Sequence, residues 1–157
     1  ATYLFNGTIW TTDGFTPDGE GVPIQPGTGF VLTVSGAPLA LTVTGEVKDS
    51  PTVVQLASGG AVNVVGPTNP LAGTAVSIND VGFDGLAAFA DGVTRYTEDG
   101  ALGIAATYLV SGSGDLTTDG FTPTTDTIGA TNGIVISSPA GGSAIVSPEF
   151  TVAPPAP

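Results

Sequence analysis

The densest group of side chains with chemical potential is Asp13-Gly14-Phe15-Thr16-Pro17-Asp18-Gly19-Glu20, a turn-rich run carrying three carboxylates. Carboxylate oxygens presented by a loop are the ligands Ca²⁺ prefers, so Asp13, Asp18 and Glu20 are the candidate metal ligands. Their spacing is not that of an EF-hand loop. The competing reading is that Asp-Gly pairs shape tight turns, because Gly accepts positive φ and Asp bonds nearby backbone. A related run stands 106 positions later, where Thr11-Thr12-Asp13-Gly14-Phe15-Thr16-Pro17 returns as Thr117-Thr118-Asp119-Gly120-Phe121-Thr122-Pro123. That copy keeps Asp119 but has Thr124 in place of Asp18, with Asp126 nearby.

Catalytic chemistry is hard to build from the rest. The chain has no His, no Cys and no Met, so a hydrolytic triad lacks its base and a thiol nucleophile does not exist. Lys48 sits between Glu46 and Asp49 and reads as part of a solvated turn. Fourteen acidic residues make carboxylate pairs frequent by chance, so a glycosidase-type pair has no specificity here. There is no Gly-rich phosphate loop followed by Lys. The expectation is a protein that is not an enzyme and requires no cofactor, with Ca²⁺ the one ion for which ligands can be named.

Charge narrows the partners. Only Lys48 and Arg95 are basic, and the net charge is −12. Nucleic-acid affinity rests largely on cations that neutralise phosphates, and anionic membrane surfaces attract polybasic segments, so neither is an expected partner. No run of about 18 apolar residues is present to span a bilayer. The acidic surface keeps the chain soluble despite a mean hydropathy of +0.36. Lack of Cys and Met removes the most oxidisable side chains. A start at Ala1 without Met reads as a processed, secreted chain, so the expected setting is extracellular or at a cell surface.

The elements that must position these residues are strands. Phe30, Leu32 and Val34, and again Leu39, Leu41 and Val43, alternate with smaller or polar residues at the period of a half-buried strand. Val53-Val54, Val62 to Val65, Val93 to Thr97 and Ile134 to Ile136 are short β-branched candidates. Gly103 to Val110 is apolar on both faces. Six Asp-Gly pairs punctuate the chain, and the segment Asn79 to Ala90 is the one place where a helix is expected, weakened by Gly82 and Gly85. This predicts an all-β fold, a β-sandwich of roughly ten to fourteen short, mostly antiparallel strands.

Internal repetition extends beyond the Asp-Gly loop. Ala1-Thr2-Tyr3-Leu4 recurs as Ala106-Thr107-Tyr108-Leu109, and Gly29-Phe30-Val31-Leu32 lines up with Gly133-Ile134-Val135-Ile136. Two related units near 1–47 and 106–152 therefore flank a different stretch within one domain, 1–152. The proline-rich end, 153–157, is expected to be an extended tail, since proline has no donor for a sheet interior. Trp10 and Tyr3 could form a sugar-stacking platform with Tyr96 as a further candidate, although a lone Trp in a β-domain is more often core. Asn6-Gly7-Thr8 is a glycosylation sequon.

The stretches Phe5-Asn6-Gly7-Thr8-Ile9-Trp10, Ile24-Gln25-Pro26-Gly27-Thr28-Gly29-Phe30-Val31 and Leu41-Thr42-Val43-Thr44-Gly45-Glu46-Val47 resemble a repeat of secreted bacterial surface proteins of unassigned function. In that repeat a W…PG-GF pattern precedes a strand ending in GEV, and Asn63 to Tyr96 is similar to the part before it. The second copy departs from the pattern, with Ala130-Thr131-Asn132-Gly133-Ile134 where Pro-Gly-x-Gly-Phe is expected. The resemblance implies a β-domain in an extracellular setting and assigns no functional residue. Taken with the apolar strands and the duplication, it points to a structural subunit that associates with copies of itself. Thr2, Tyr3, Leu4 and Phe5 are the candidate assembly strand, able to add to an open sheet edge. The alternatives are a monomeric adhesin or carbohydrate-binding module, and a viral tail or capsid β-domain.

Overall fold

Short β-branched runs separated by Gly, Pro, Asn and Asp become strands because each residue type favours what its place requires: pleated, half-buried backbone in the runs and tight reversal between them. A computed structural model describes residues 2–19, 21–23, 29, 31, 33, 51–66, 75–97, 103–129 and 132–146. The expectations for Glu20, Lys48, the strand around 39–44 and the tail 153–157 lie outside these residues; of the strand expected around 30–34 only Val31 and Thr33 are described, and neither lies in a strand. In chain order the strands are β1 (Leu4–Phe5), β2 (Trp10–Thr11), β3 (Thr52–Leu56), β4 (Asn63–Val65), β5 (Val76–Ser77), β6 (Phe83–Asp84), β7 (Gly92–Tyr96), β8 (Ile104–Val110), β9 (Leu116–Thr117), β10 (Thr127–Ile128), β11 (Ile134–Ser137) and β12 (Gly142–Val146).

Every pairing among them is antiparallel. A five-stranded sheet runs β4-β11-β7-β8-β9 and a three-stranded sheet runs β3-β12-β6, with the small pairs β1-β2 and β5-β10 beside them. The two larger sheets share one core. Val65, Ile134, Ile136, Val93, Tyr108, Val110 and Leu116 of the larger sheet join Leu56, Phe83, Ala144 and Val146 of the smaller one in a single buried cluster, together with Ile78, Val81 and Ile128. Along β8, β11 and β12 the buried residues fall at every second position, as a two-layer packing of pleated strands demands. The all-β sandwich is thus the observed architecture.

The helix expected over Asn79 to Ala90 does not form. A single 3₁₀ turn spans Ile78–Val81, with Ser77 Oγ accepting from Asn79 N at its start. Gly82 and Gly85 then adopt φ of 67° and 93°, left-handed values that end a right-handed turn. Asn79 serves the fold with its side chain instead. Its Oδ1 accepts from Leu116 N at 2.7 Å, and its Nδ2 donates to Thr124 O at 3.0 Å.

Two side chains tie together segments that are distant in the chain. Asn63 on β4 accepts Ala57 N at 2.8 Å through Oδ1 and donates Nδ2 to Ile136 O at 3.0 Å, holding the end of β3 near β11. Tyr108 is fully buried, and its hydroxyl donates to Asp126 Oδ2 at 2.7 Å while accepting Arg95 Nε at 3.3 Å. Burial, and then the bond to Asp126, push the Tyr108 hydroxyl pKa upward.

Candidate functional site

Duplication in the sequence is duplication in space. In the first copy Leu4 pairs with Thr11 and Phe5 with Trp10. In the second, Leu109 pairs with Thr117 and Val110 with Leu116. The two hairpins therefore have the same register, and the one-residue difference between copies falls in their connecting loops, Asn6 to Ile9 and Ser111 to Asp115. Asn6 builds the shorter loop itself: Oδ1 accepts from Thr8 N and Ile9 N, both at 3.1 Å, and Nδ2 donates to Gly14 O at 3.1 Å.

The Thr-Thr-Asp-Gly-Phe-Thr-Pro loops after the hairpins are also built alike. Thr11 and Thr117 are both fully buried. Gly14 N reaches Thr11 Oγ1, and Gly120 N reaches Thr117 Oγ1, each at 2.9 Å. Asp13 Oδ1 accepts from Phe15 N and Thr16 N at 2.8 Å; Asp119 Oδ1 accepts from Phe121 N at 2.9 Å and Thr122 N at 2.7 Å. Gly14 and Gly120 hold φ of 92° and 86°, which a side chain would strain. The result in each copy is a small turn with a Phe projecting from its tip: Phe15 is 86% exposed and Phe121 84%.

These bonds also locate the predicted metal ligands. The Asp13 carboxylate takes two backbone N–H groups and the hydroxyls of Thr11 and Thr16, which depress its pKa strongly; the two backbone bonds weigh most. Asp18 accepts Thr12 N at 2.8 Å and the Thr12 hydroxyl, and these depress its pKa too. Asp13 and Asp18 thus point their oxygens at loop donors. Among the described residues no three acidic side chains converge as metal ligands, and Glu20 lies outside those residues.

The surroundings of the two hairpins differ sharply. In the second copy β8 carries β7 on its other edge, in the register Gly92↔Leu109, Val93↔Tyr108 and Thr94↔Thr107. Tyr108, Val110 and Leu116 then point into the core, with Leu116 only 1% exposed. In the first copy the matching residues are Tyr3, Phe5 and Trp10. Phe5 is 54% exposed and Trp10 37%, their ring centroids 5.2 Å apart. A Cβ placed on Gly19 would come within 2.8 Å of both Trp10 and the Tyr3 ring, so a glycine is required where the loop backbone crosses behind them. Among the described residues no strand lies along the second edge of β1.

The candidate assembly strand Thr2 to Phe5 therefore lies partly in β1, bonded on one side to β2 within its own chain. The candidate aromatic residues separate: Tyr3 and Trp10 share the hairpin, whereas Tyr96 ends β7 in the five-stranded sheet. Sequence reasoning placed Asp115-Leu116 around the position of Trp10 but missed the equivalence of Phe5 with Val110. The signal was available in the repeat alignment, where apolar residues stand at both positions. Comparison of the chain with protein-family models, with curated proteins and with solved structures found no match. What is shown is the architectural class, an all-β sandwich-like domain.

Proposed function

We propose that the chain is a structural subunit that self-assembles with copies of itself into an extracellular filament or surface coat, and that the N-terminal hairpin carries the contact. One observation carries this reading: the hairpin face that forms core in the second copy is an exposed aromatic face in the first. Residues suited to burial and left in water favour association with another surface. The edge of β1 that no described strand occupies adds backbone donors and acceptors to the same place. Ile104 and Leu109 on β8 are further exposed apolar residues. The chain's lack of His and Cys supports a structural role over a catalytic one, and its lack of oxidisable Cys and Met fits an extracellular setting.

Negative-stain electron microscopy of the purified chain, with and without Ca²⁺, tests the reading. Regular filaments or sheets are expected, and removal of residues 2–11 should abolish them. A chain that stays monomeric at high concentration, or a deletion that assembles unchanged, would sink the proposal. Dependence on Ca²⁺ would implicate the loop of Asp13, Asp18 and Glu20. A second reading, a carbohydrate-binding module, is favoured by the exposed Trp10 ring beside Phe5, since exposed aromatic faces suit sugar stacking. It requires Trp10 fluorescence to respond to a glycan panel.

A further inference from the structure

We propose that the N-terminal hairpin is the receiving half of a unit completed by a further copy of the 51–105 stretch, whose β7-type strand pairs antiparallel with Thr2 to Phe5. This rests on the assembly reading only in treating the hairpin as a contact surface; the strand that covers it is not one that a folded copy of this chain leaves free. The chain itself supplies the template. β8 and β9 are the second-copy counterparts of β1 and β2, residue for residue in register. Their partner is β7, which lies along the edge of β8 that β1 leaves open among the described residues.

Transferring the second-copy register fixes the expected contacts. Leu109, Tyr108 and Thr107 oppose Gly92, Val93 and Thr94, so Leu4, Tyr3 and Thr2 should oppose a Gly, a Val and a Thr. Val110 N donates to Asp91 O at 3.4 Å, which gives Phe5 N the carbonyl before that Gly. In an antiparallel ladder the bonding direction alternates along a strand, so Tyr3 N faces the incoming strand while Leu4 faces β2. The same 51–105 stretch brings Ile78 and Val81, both fully buried in the core beside Tyr108 and Leu116. A further copy would lay the equivalent apolar turn on Tyr3, Phe5 and Trp10. Those first-copy residues are larger than Tyr108, Val110 and Leu116 only at Phe5 and Trp10, the two positions that stand most in water. The occupant is therefore protein, an extended segment alternating Gly-Val-Thr with an apolar turn ahead of it. The β7 already present is held on both edges by β11 and β8, so a separate copy of the stretch has to supply the strand.

The test places a copy of residues 51–105 ahead of residue 1 of the full chain, so that a β7-type strand is tethered near β1. Trp10, the only tryptophan, reports directly. Its emission should move to the blue, its quenching by acrylamide should fall several-fold, and hydrogen exchange across Thr2 to Phe5 should slow. A control fusion whose added copy carries Val93→Pro, which removes a donor from the incoming strand and leaves the original 157 residues untouched, should restore the unfused values. Equal quenching and exchange in fused and unfused chains would overturn the proposal. So would equal protection by the Val93→Pro copy, because contact would then not depend on strand pairing. Microscopy separates this outcome from the assembly reading: filaments with an unprotected Trp10 refute only the inference drawn here, and a protected Trp10 without filaments refutes only self-assembly.

Discussion

Leu116 and Trp10 occupy the same place in two copies of one hairpin, yet truncating each to Ala should have very different consequences. Leu116 is 1% exposed and packs among Tyr108, Val110 and Ile78. Removing three buried carbons loses transfer energy and leaves a cavity, which together cost about 2–5 kcal/mol for such a residue; about 3 is expected where the neighbours are β-strands that relax little. In a domain of this length each kcal/mol lowers Tm by about 2–4 °C, so Leu116→Ala should melt about 6–12 °C earlier. Trp10 lies on a two-strand pair with much of its ring in water. Its ring contact with Phe5 is worth about 0.5–1.5 kcal/mol, and a hairpin this small opens locally before the domain unfolds. Trp10→Ala should therefore lower the global Tm by less than about 3 °C. Thermal unfolding followed by far-ultraviolet circular dichroism on dilute protein measures both, with urea titration to check that the m-value is unchanged. Equal losses at the two positions would refute the claim that one hairpin is core and the other an open face.

Three further outcomes follow from single groups. Asn63→Ala leaves Ala57 N and Ile136 O without their partners, which should cost about 2 kcal/mol in urea unfolding, and Asn63→Asp should not rescue it because a carboxylate cannot donate to Ile136 O. Tyr108 has its pKa raised above the ordinary 10.0, so its contribution is complete below pH 10 and is lost as pH climbs through the raised value. Stability measured across alkaline pH should fall there in the native chain and fall less steeply in Tyr108→Phe. Asp13, Asp18 and Asp119 have depressed pKa values, so their contribution is present above the ordinary 3.8 and fades as pH drops below it. Protection factors at Phe15 and Phe121, corrected for the intrinsic exchange rate, should be constant at pH 5–7 and fall only as pH drops below the ordinary 3.8 toward the depressed values, and Asp119→Asn should lower the protection of Phe121 alone.

The legible part of the fold was the part set by local pattern. The β-branched runs at Val53-Val54 and Ile134 to Ile136 fall in strands, and those at Val62 to Val65 and Val93 to Thr97 do so except for Val62 and Thr97, because a pleated, half-buried surface is what those side chains suit. The expectation of a helix after Asn79 failed because its apolar spacing was read over two glycines that both adopt positive φ. The pairing order was not legible. β4-β11-β7-β8-β9 joins residues far apart in the chain, and such contacts leave no periodicity behind. Of the candidate site, the Asp-Gly loops could be found from their identical residues. That Asp13 and Asp18 use their oxygens on loop N–H and hydroxyl donors depends on a turn geometry that residue types alone do not specify.

Why one copy should be core and the other open is answered by what surrounds them, since their own backbones agree. A two-stranded hairpin is marginal in water and needs a further strand or a packed face to persist. The second copy has both, β7 on its edge and the core against its face. The first has its buried Thr11 and its Asp13 bonds, which shape the loop, and among the described residues its Phe5 and Trp10 stay partly exposed. Gly29 N reaches Val64 O on β4 at 3.3 Å, while its second-copy counterpart Gly133 accepts from Tyr96 N on β7 at 3.2 Å. Both copies thus reach the same five-stranded sheet, one at an edge strand and one in its interior. A chain that repeats a hairpin, enlarges the side chains on its core-type face to Phe and Trp, and shows one strand of the β7 kind among the described residues is asymmetric in a specific way. Among the described residues the second copy is covered by β7 and the core, whereas the first presents Phe5 and Trp10 beside an edge that no described strand occupies.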